Sequence, residues 1–132
     1  MAHFVDTNIV VYAFEPSPKS EPALAALTGA IISVQVLNEF ANVCLKKLRY
    51  DRSTLDMLIL QIRSQVTRIE PICEAANELA REFVFRYNLG FYDSLLLASA
   101  TLADCDTFFS EDMQHGMVIE DLLTIRNPFK DG

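Results

Sequence analysis

Short apolar runs alternate with longer helical patterns along this chain, and that alternation limits its fold more than any other feature. Residues 2–5 (Ala-His-Phe-Val), 30–33 (Ala-Ile-Ile-Ser), 67–70 (Thr-Arg-Ile-Glu) and 107–109 (Thr-Phe-Phe) are each short and rich in β-branched or aromatic residues, the composition of buried strands. The stretches between them are long enough to cross from one strand to the next in parallel. The expected architecture is therefore α/β, with a short-stranded, mostly parallel sheet covered by helices on both faces. Met117-Val118-Ile119 reads as a last edge strand, and Arg126–Gly132 as a loosely ordered tail with Pro128 and Phe129 packed back.

Residues 8–14 (Asn-Ile-Val-Val-Tyr-Ala-Phe) fit a strand by composition. They also fit a helix, because Asp6-Thr7-Asn8 can satisfy free backbone N–H groups at a helix start. Pro16 and Pro18 mark a turn. Ser20-Glu21-Pro22 opens a helix that Gly29 closes. A longer helix runs from Ser33 or Gln35 through Leu48, with Val36, Leu37, Phe40, Val43, Cys44, Lys47 and Leu48 at helical spacing. Glu39 lies on the flank of that stripe. Arg49–Ser53 reads as a polar loop before an amphipathic helix over Thr54–Val66. Ile72–Tyr87 is a further helix, stopped by Asn88-Leu89-Gly90. Phe91-Tyr92-Asp93-Ser94 then leads into Leu95–Ala103, apolar on nearly every side, which predicts a centrally buried helix with Asp93 in its first turn.

The 132 residues suit one domain, 1–132, and a hydrophobic content of 51% allows a sizeable core. No apolar run approaches the ~18 residues that span a bilayer, and no basic segment precedes an apolar one near residue 1. The expectation is a cytoplasmic protein with no membrane segment. Cys44, Cys73 and Cys105 lie in apolar surroundings without CxxC spacing, which predicts three reduced, buried thiols rather than a zinc site. The net charge of −7 argues against a protein that coats nucleic acid. Yet Lys46, Lys47, Arg49, Arg52, Arg63 and Arg68 concentrate six of the 11 basic residues in one stretch, either as solvated helix ends or as a surface that steers a polyanion.

Four acids occupy element ends or edges that can face a common cleft. Asp6 and Asp112 follow strands, Glu39 flanks a helix stripe, and Asp93 opens the buried helix. Each alone could be a cap or a surface acid. Together they raise an electrostatic problem, because two carboxylates ~5 Å apart repel by roughly 3 kcal/mol at an effective dielectric near 20. Such a cluster either retains protons or binds divalent cations, and oxygen-only donors suit Mg²⁺ or Mn²⁺.

With these residues in place, the chain resembles the PIN-domain ribonucleases, especially the toxins of VapBC-type toxin–antitoxin pairs. The resemblance rests on Val5-Asp6-Thr7-Asn8, Ser33 to Glu39, Tyr92-Asp93-Ser94-Leu95-Leu96-Leu97-Ala98 and Phe109-Ser110-Glu111-Asp112, in that order and spacing. It implies a three-layer α/β/α sandwich and a helix at residues 8–14. It implies Mg²⁺- or Mn²⁺-dependent endoribonuclease activity, with Asp6, Glu39, Asp93 and Asp112 as the catalytic, metal-binding acids. Asp6 and Asp93 would be the direct ligands, and Thr7, Asn8 and Ser110 would support them by hydrogen bonds. A small VapB-like antitoxin and a homodimer are the implied assemblies, with RNA as substrate.

Two other readings compete. One is a PIN-like module that binds protein or RNA without catalysis. The other is a DNA nuclease or phosphatase. The haloacid-dehalogenase type of phosphatase needs a second Asp two residues after the first, where this chain has Asn8. His115, three residues past Asp112, could approach a bound phosphate but fits a surface loop better. His3 is expected to be packed or hydrogen-bonded inside the first strand.

Overall fold

The computed structural model describes residues 2–130. β1 (His3–Val5), β2 (Ile31–Ser33), β3 (Arg68–Glu70), β4 (Thr107–Phe109), β5 (Val118–Ile119) and β6 (Leu123–Arg126) form one sheet in the order β3-β2-β1-β4-β6-β5. All neighbours are parallel except β5 and β6. Phe4 of β1 sits beside Ile31 on one side and Phe108 on the other, all buried.

The helices are α1 (Thr7–Phe14), α2 (Ser20–Leu27), α3 (Val34–Lys46), α4 (Arg52–Gln65), α5 (Glu74–Tyr87) and α6 (Phe91–Leu102). The chain steps from β1 to β2 to β3 in one direction and then returns past both to β4. Right-handed crossovers therefore put α1 to α4 on one face and α5 with α6 on the other. The packing agrees: α1 contacts α2 and α3, α3 contacts α4, and α5 lies along α6. The expected α/β architecture is the one observed, including the helix at residues 8–14. Asp6 caps that helix by accepting a hydrogen bond from the Thr7 N–H. In α6, every residue from Ser94 to Ala100 is buried, as its unbroken apolar pattern predicts.

The differences lie at ends and edges. α4 begins at Arg52 rather than Thr54, because the Asp51 carboxylate accepts from the Thr54 N–H at 2.8 Å and draws two more residues into the first turn. α3 ends at Lys46 rather than Leu48, and α5 begins at Glu74 rather than Ile72. α2 starts at Ser20 with Lys19, not Ser20 or Glu21, in the cap position. Arg126 belongs to β6, a strand inserted between β4 and β5 with Leu123 and Ile125 buried. The segment after it is held as well: the Asn127 N–H donates to His115 Nδ1 at 2.9 Å, and the Phe129 N–H donates to Asn127 Oδ1 at 2.9 Å. Asp131 and Gly132, the end of the expected tail, lie outside the described residues. Cys44 and Cys105 are buried, but Cys73 is exposed, because it precedes α5 instead of lying within it.

Candidate active site

The strand order reverses direction at β1, between β2 and β4, and in open α/β sheets ligands bind outside the strand carboxyl ends at such a point. Asp6 and Ser110 are the residues that follow β1 and β4 there. Val5 is in register with Phe109, and the Asp6 N–H continues the ladder to the Phe109 carbonyl at 2.9 Å. The same register places Ser110 beside Asp6, and the Ser110 hydroxyl donates to Asp6 Oδ2 at 2.8 Å. Asp6 is only 6% exposed, and Ser110 is fully buried.

Around this pair opens a cleft of about 470 Å³ that holds all four predicted acids, Asp6, Glu39, Asp93 and Asp112, together with Thr7 and Asn8. They come from four elements: the end of β1, the flank of α3, the first turn of α6 and the loop after β4. The three expected supporting residues link them. Thr7 Oγ1 donates to Glu39 Oε1 at 2.8 Å. Asn8 Nδ2 donates to Asp112 Oδ2 at 3.1 Å and sits 3.4 Å from Asp6 Oδ2. The Ser110 hydroxyl also accepts from the Met113 N–H at 3.3 Å, which fixes the turn that carries Asp112.

The electrostatics are those of a cluster without counter-ions. Among the described residues, none of the four acids has an ion-pair partner. Burial pushes the Asp6 carboxyl up to about 6; hydrogen bonds from Ser110 and Thr7 oppose the rise, and Asp93 and Glu39 add to it. Asp93 stands exposed at the mouth, yet its carboxyl is also raised, first by partial loss of solvation and then by the charges of Glu39 and Asp112. The acids ring the cleft rather than one point. Among the described residues, no three acidic, histidine or cysteine side chains are already gathered to hold an ion. The match to a divalent cation lies in the donor type and the unbalanced charge.

Sequence reasoning missed several neighbours. Gln35 Nε2 donates to Glu39 Oε2 at 3.0 Å, so Glu39 is gripped at both oxygens. The i,i+4 spacing of Gln35 and Glu39 on α3 was the available signal. Tyr12, Glu15 and Lys47 also line the cleft. Glu111 turns away to pair with Lys19 and to accept from the Tyr12 hydroxyl at 2.7 Å, so Asp112 alone of this adjacent pair faces the cleft. His115 lies in the loop after β4, as expected, but is half-buried there and accepts from the Asn127 N–H. His3 is hydrogen-bonded as expected, to the Ala26 carbonyl at 2.8 Å.

Comparisons with known proteins place the fold. Three solved structures share the fold. A toxin–antitoxin complex from Klebsiella pneumoniae matches with TM-score 0.72 and 23% identity, over 99% of this chain and 100% of that one. VapBC2 from Rickettsia felis, bound to a DNA fragment from its promoter, matches with TM-score 0.69 and 20% identity, over 96% and 98%. VapC20 from Mycobacterium tuberculosis, a sarcin–ricin loop cleaving toxin, matches with TM-score 0.67 and 18% identity, over 84% and 90%. No curated protein matches by sequence. The family model of the PIN domain matches residues 3–116, a span that takes in all four acids, and the chain belongs to that family.

Proposed function

We propose that this protein is a Mg²⁺- or Mn²⁺-dependent endoribonuclease and acts as the toxin of a VapBC-like pair. The observation that carries the proposal is the convergence of Asp6, Glu39, Asp93 and Asp112, from four separate elements, on one cleft in which, among the described residues, no Lys, Arg or His pairs with them. Asp6 and Asp93 are the direct metal ligands in this reading, and Glu39 and Asp112 complete the site. A divalent cation held there supplies Lewis acidity toward a phosphodiester and acidifies coordinated water.

The chain's own residues set the conditions. Asp6 must be ionised, which its value of about 6 permits at neutral pH. Thr7 and Gln35 hold both oxygens of Glu39 against rotation. Asn8 ties Asp112 to α1. Of the basic stretch between Lys46 and Arg68, Lys47 lines the cleft and offers positive charge to the RNA backbone, whereas Arg68 opens β3 at the opposite end of the strands and pairs with Glu70. The toxin–antitoxin neighbours support a small antitoxin partner, and homodimerisation and a cytoplasmic location go with the same reading. No helix among the described residues is long and apolar enough to cross a membrane.

The test is cleavage of RNA and DNA of one sequence by the purified protein with Mn²⁺. RNA should be cut in preference, and Asp6→Asn or Asp93→Asn should lower the rate by about 10²-fold or more while the protein stays folded. Equal cleavage by the wild type and both variants would overturn the assignment.

A further inference from the structure

Glu111 is the one acid of the Ser110–Asp112 loop that the cleft does not use, and its contacts reach well beyond that loop. Its carboxylate accepts from the Tyr12 hydroxyl and pairs with Lys19. The Lys19 ammonium lies 4.7 Å from the Tyr12 ring centre and 5.3 Å from that of Phe129, and the two rings meet edge to face at 5.4 Å. Three distant segments thus close on one ion pair: α1, the turn before α2, and the segment after β6. Lys19 is half-buried by this packing, which makes its pairing with Glu111 more directional than an open surface pair.

The contacts continue toward the cleft. The Glu111 N–H donates to Asn8 Oδ1 at 3.3 Å, while the amide of the same Asn8 holds Asp112. Asn8 and Tyr12 are four apart on α1 and share a face. One face of α1 therefore grips both Glu111 and Asp112, and Lys19 with Phe129 closes the grip from outside.

Building on the metal-site reading above, we infer that Lys19 and Phe129 are positioning residues: they clamp Glu111 against α1 and so hold Asp112 in place for a divalent cation. Neither residue lines the acid cleft. Released from the clamp, the loop would let Asp112 drift and would free Glu111 as a fifth acid beside the cluster.

The experiment uses the intact chain with Lys19→Met, Lys19→Arg and Phe129→Ala, and reads two quantities. The first is hydrogen exchange at the Glu111 and Met113 amides without metal. Protection should fall in Lys19→Met and Phe129→Ala, stay near wild type in Lys19→Arg, and remain unchanged in the sheet. The second is Mn²⁺ affinity by calorimetry. Lys19→Met and Phe129→Ala should each weaken binding about tenfold, the lower end for residues that orient ligands. In an Asp112→Asn background neither should weaken it further, because both act through Asp112. Unchanged exchange at both amides overturns the clamp whether or not the metal binds. So does a loss of affinity that persists undiminished beside Asp112→Asn. Wild-type protein that binds no Mn²⁺ overturns the metal-site reading and the clamp's role toward a cation, while the exchange data then report only on the loop.

Discussion

Two regions of this molecule treat carboxylates in opposite ways. At the turn between β5 and β6, Glu120 accepts from the Tyr87 hydroxyl at 2.6 Å and from the Arg86 guanidinium at 2.6 Å, and these bonds, Tyr87 first, hold its carboxyl below the usual range. At the strand ends of β1 and β4, the donors to Asp6 among the described residues are all neutral, and burial raises it. Glu120 is finished by the protein's own cation and acts as a fastener. Asp6 is left with a deficit of positive charge, and the fold bears a cost to keep it so. An acid that the chain satisfies is structural, and an acid that the chain leaves wanting is available to something else.

The sharpest way to break that contrast is to supply the missing charge. Saturating Mn²⁺, at about a hundred times its dissociation constant, should stabilise the wild type by about 2.7 kcal/mol. Thermal unfolding with and without metal would measure it, and Asp6→Asn should lose most of the gain. An equal shift in both proteins would mean that the ion binds elsewhere.

Removing the charge is the next largest change. A rise from 3.8 to about 6 at a residue only 6% exposed corresponds to about 3 kcal/mol of destabilisation at neutral pH. Asp6→Asn retains a side chain that caps α1 but disturbs the hydrogen bonds at Oδ2, at a cost of about 1 kcal/mol. The metal-free variant should therefore be more stable than wild type by about 2 kcal/mol at pH 7. The sign with pH follows. Between the unfolded value near 3.9 and the folded value of about 6, the native state binds the extra proton, so this group's contribution falls as pH rises. The advantage of Asp6→Asn should grow across that window and give way below it to a deficit of about 1 kcal/mol, the disturbed hydrogen bonds alone. Denaturant unfolding at pH 4 and pH 7 would show this, and a pH-independent difference would contradict it.

The same contrast explains which parts could be read from the sequence. The acid site was legible as a set of positions because each acid borders an element whose pattern is strong: Asp6 after a buried strand, Asp93 at the head of an all-apolar helix. β1 to β4 and the helices between them were legible for the same reason. The contacts among Lys19, Glu111 and Phe129 were not, since these residues meet only through the tertiary fold. The β5–β6 hairpin was hidden by its turn. Leu122 N–H donates to the Ile119 carbonyl at 3.1 Å across Glu120 and Asp121, whose φ angles of 53° and 56° are those of a type I′ turn. Sequences announce that turn with Asn-Gly or Asp-Gly, and Glu-Asp carries no such signal. Without a recognised turn, nothing marked the alternation of Leu123-Thr124-Ile125-Arg126 as the return strand of a hairpin.

If the Glu120 fastener is what holds this unfavourable turn, weakening it should cost stability. Tyr87→Phe removes both a donor to the Glu120 carboxylate and the acceptor of the Glu120 N–H, a bond of 2.8 Å. A loss of about 1 kcal/mol in denaturant unfolding is expected, with Mn²⁺ affinity unchanged because the turn lies far along the sheet from β1. A change in metal affinity would show that the two regions are coupled and dissolve the contrast.

The smallest effect isolates the turn's backbone from its fastener. Asp121 has positive φ, and no hydrogen bond or ion pair of its side chain holds it there among the described residues. Glycine adopts that conformation without steric cost, though it adds freedom to the unfolded chain. Asp121→Gly should therefore stabilise the protein by about 0.5 kcal/mol. Glu120→Gly relieves the same backbone strain but discards the bonds to Arg86 and Tyr87, so it should destabilise. Opposite signs at two adjacent residues of equal φ would separate the side chain's contribution from the backbone's. If both substitutions stabilised, Glu120 would be no fastener, and its lowered carboxyl would reflect only a surface ion pair.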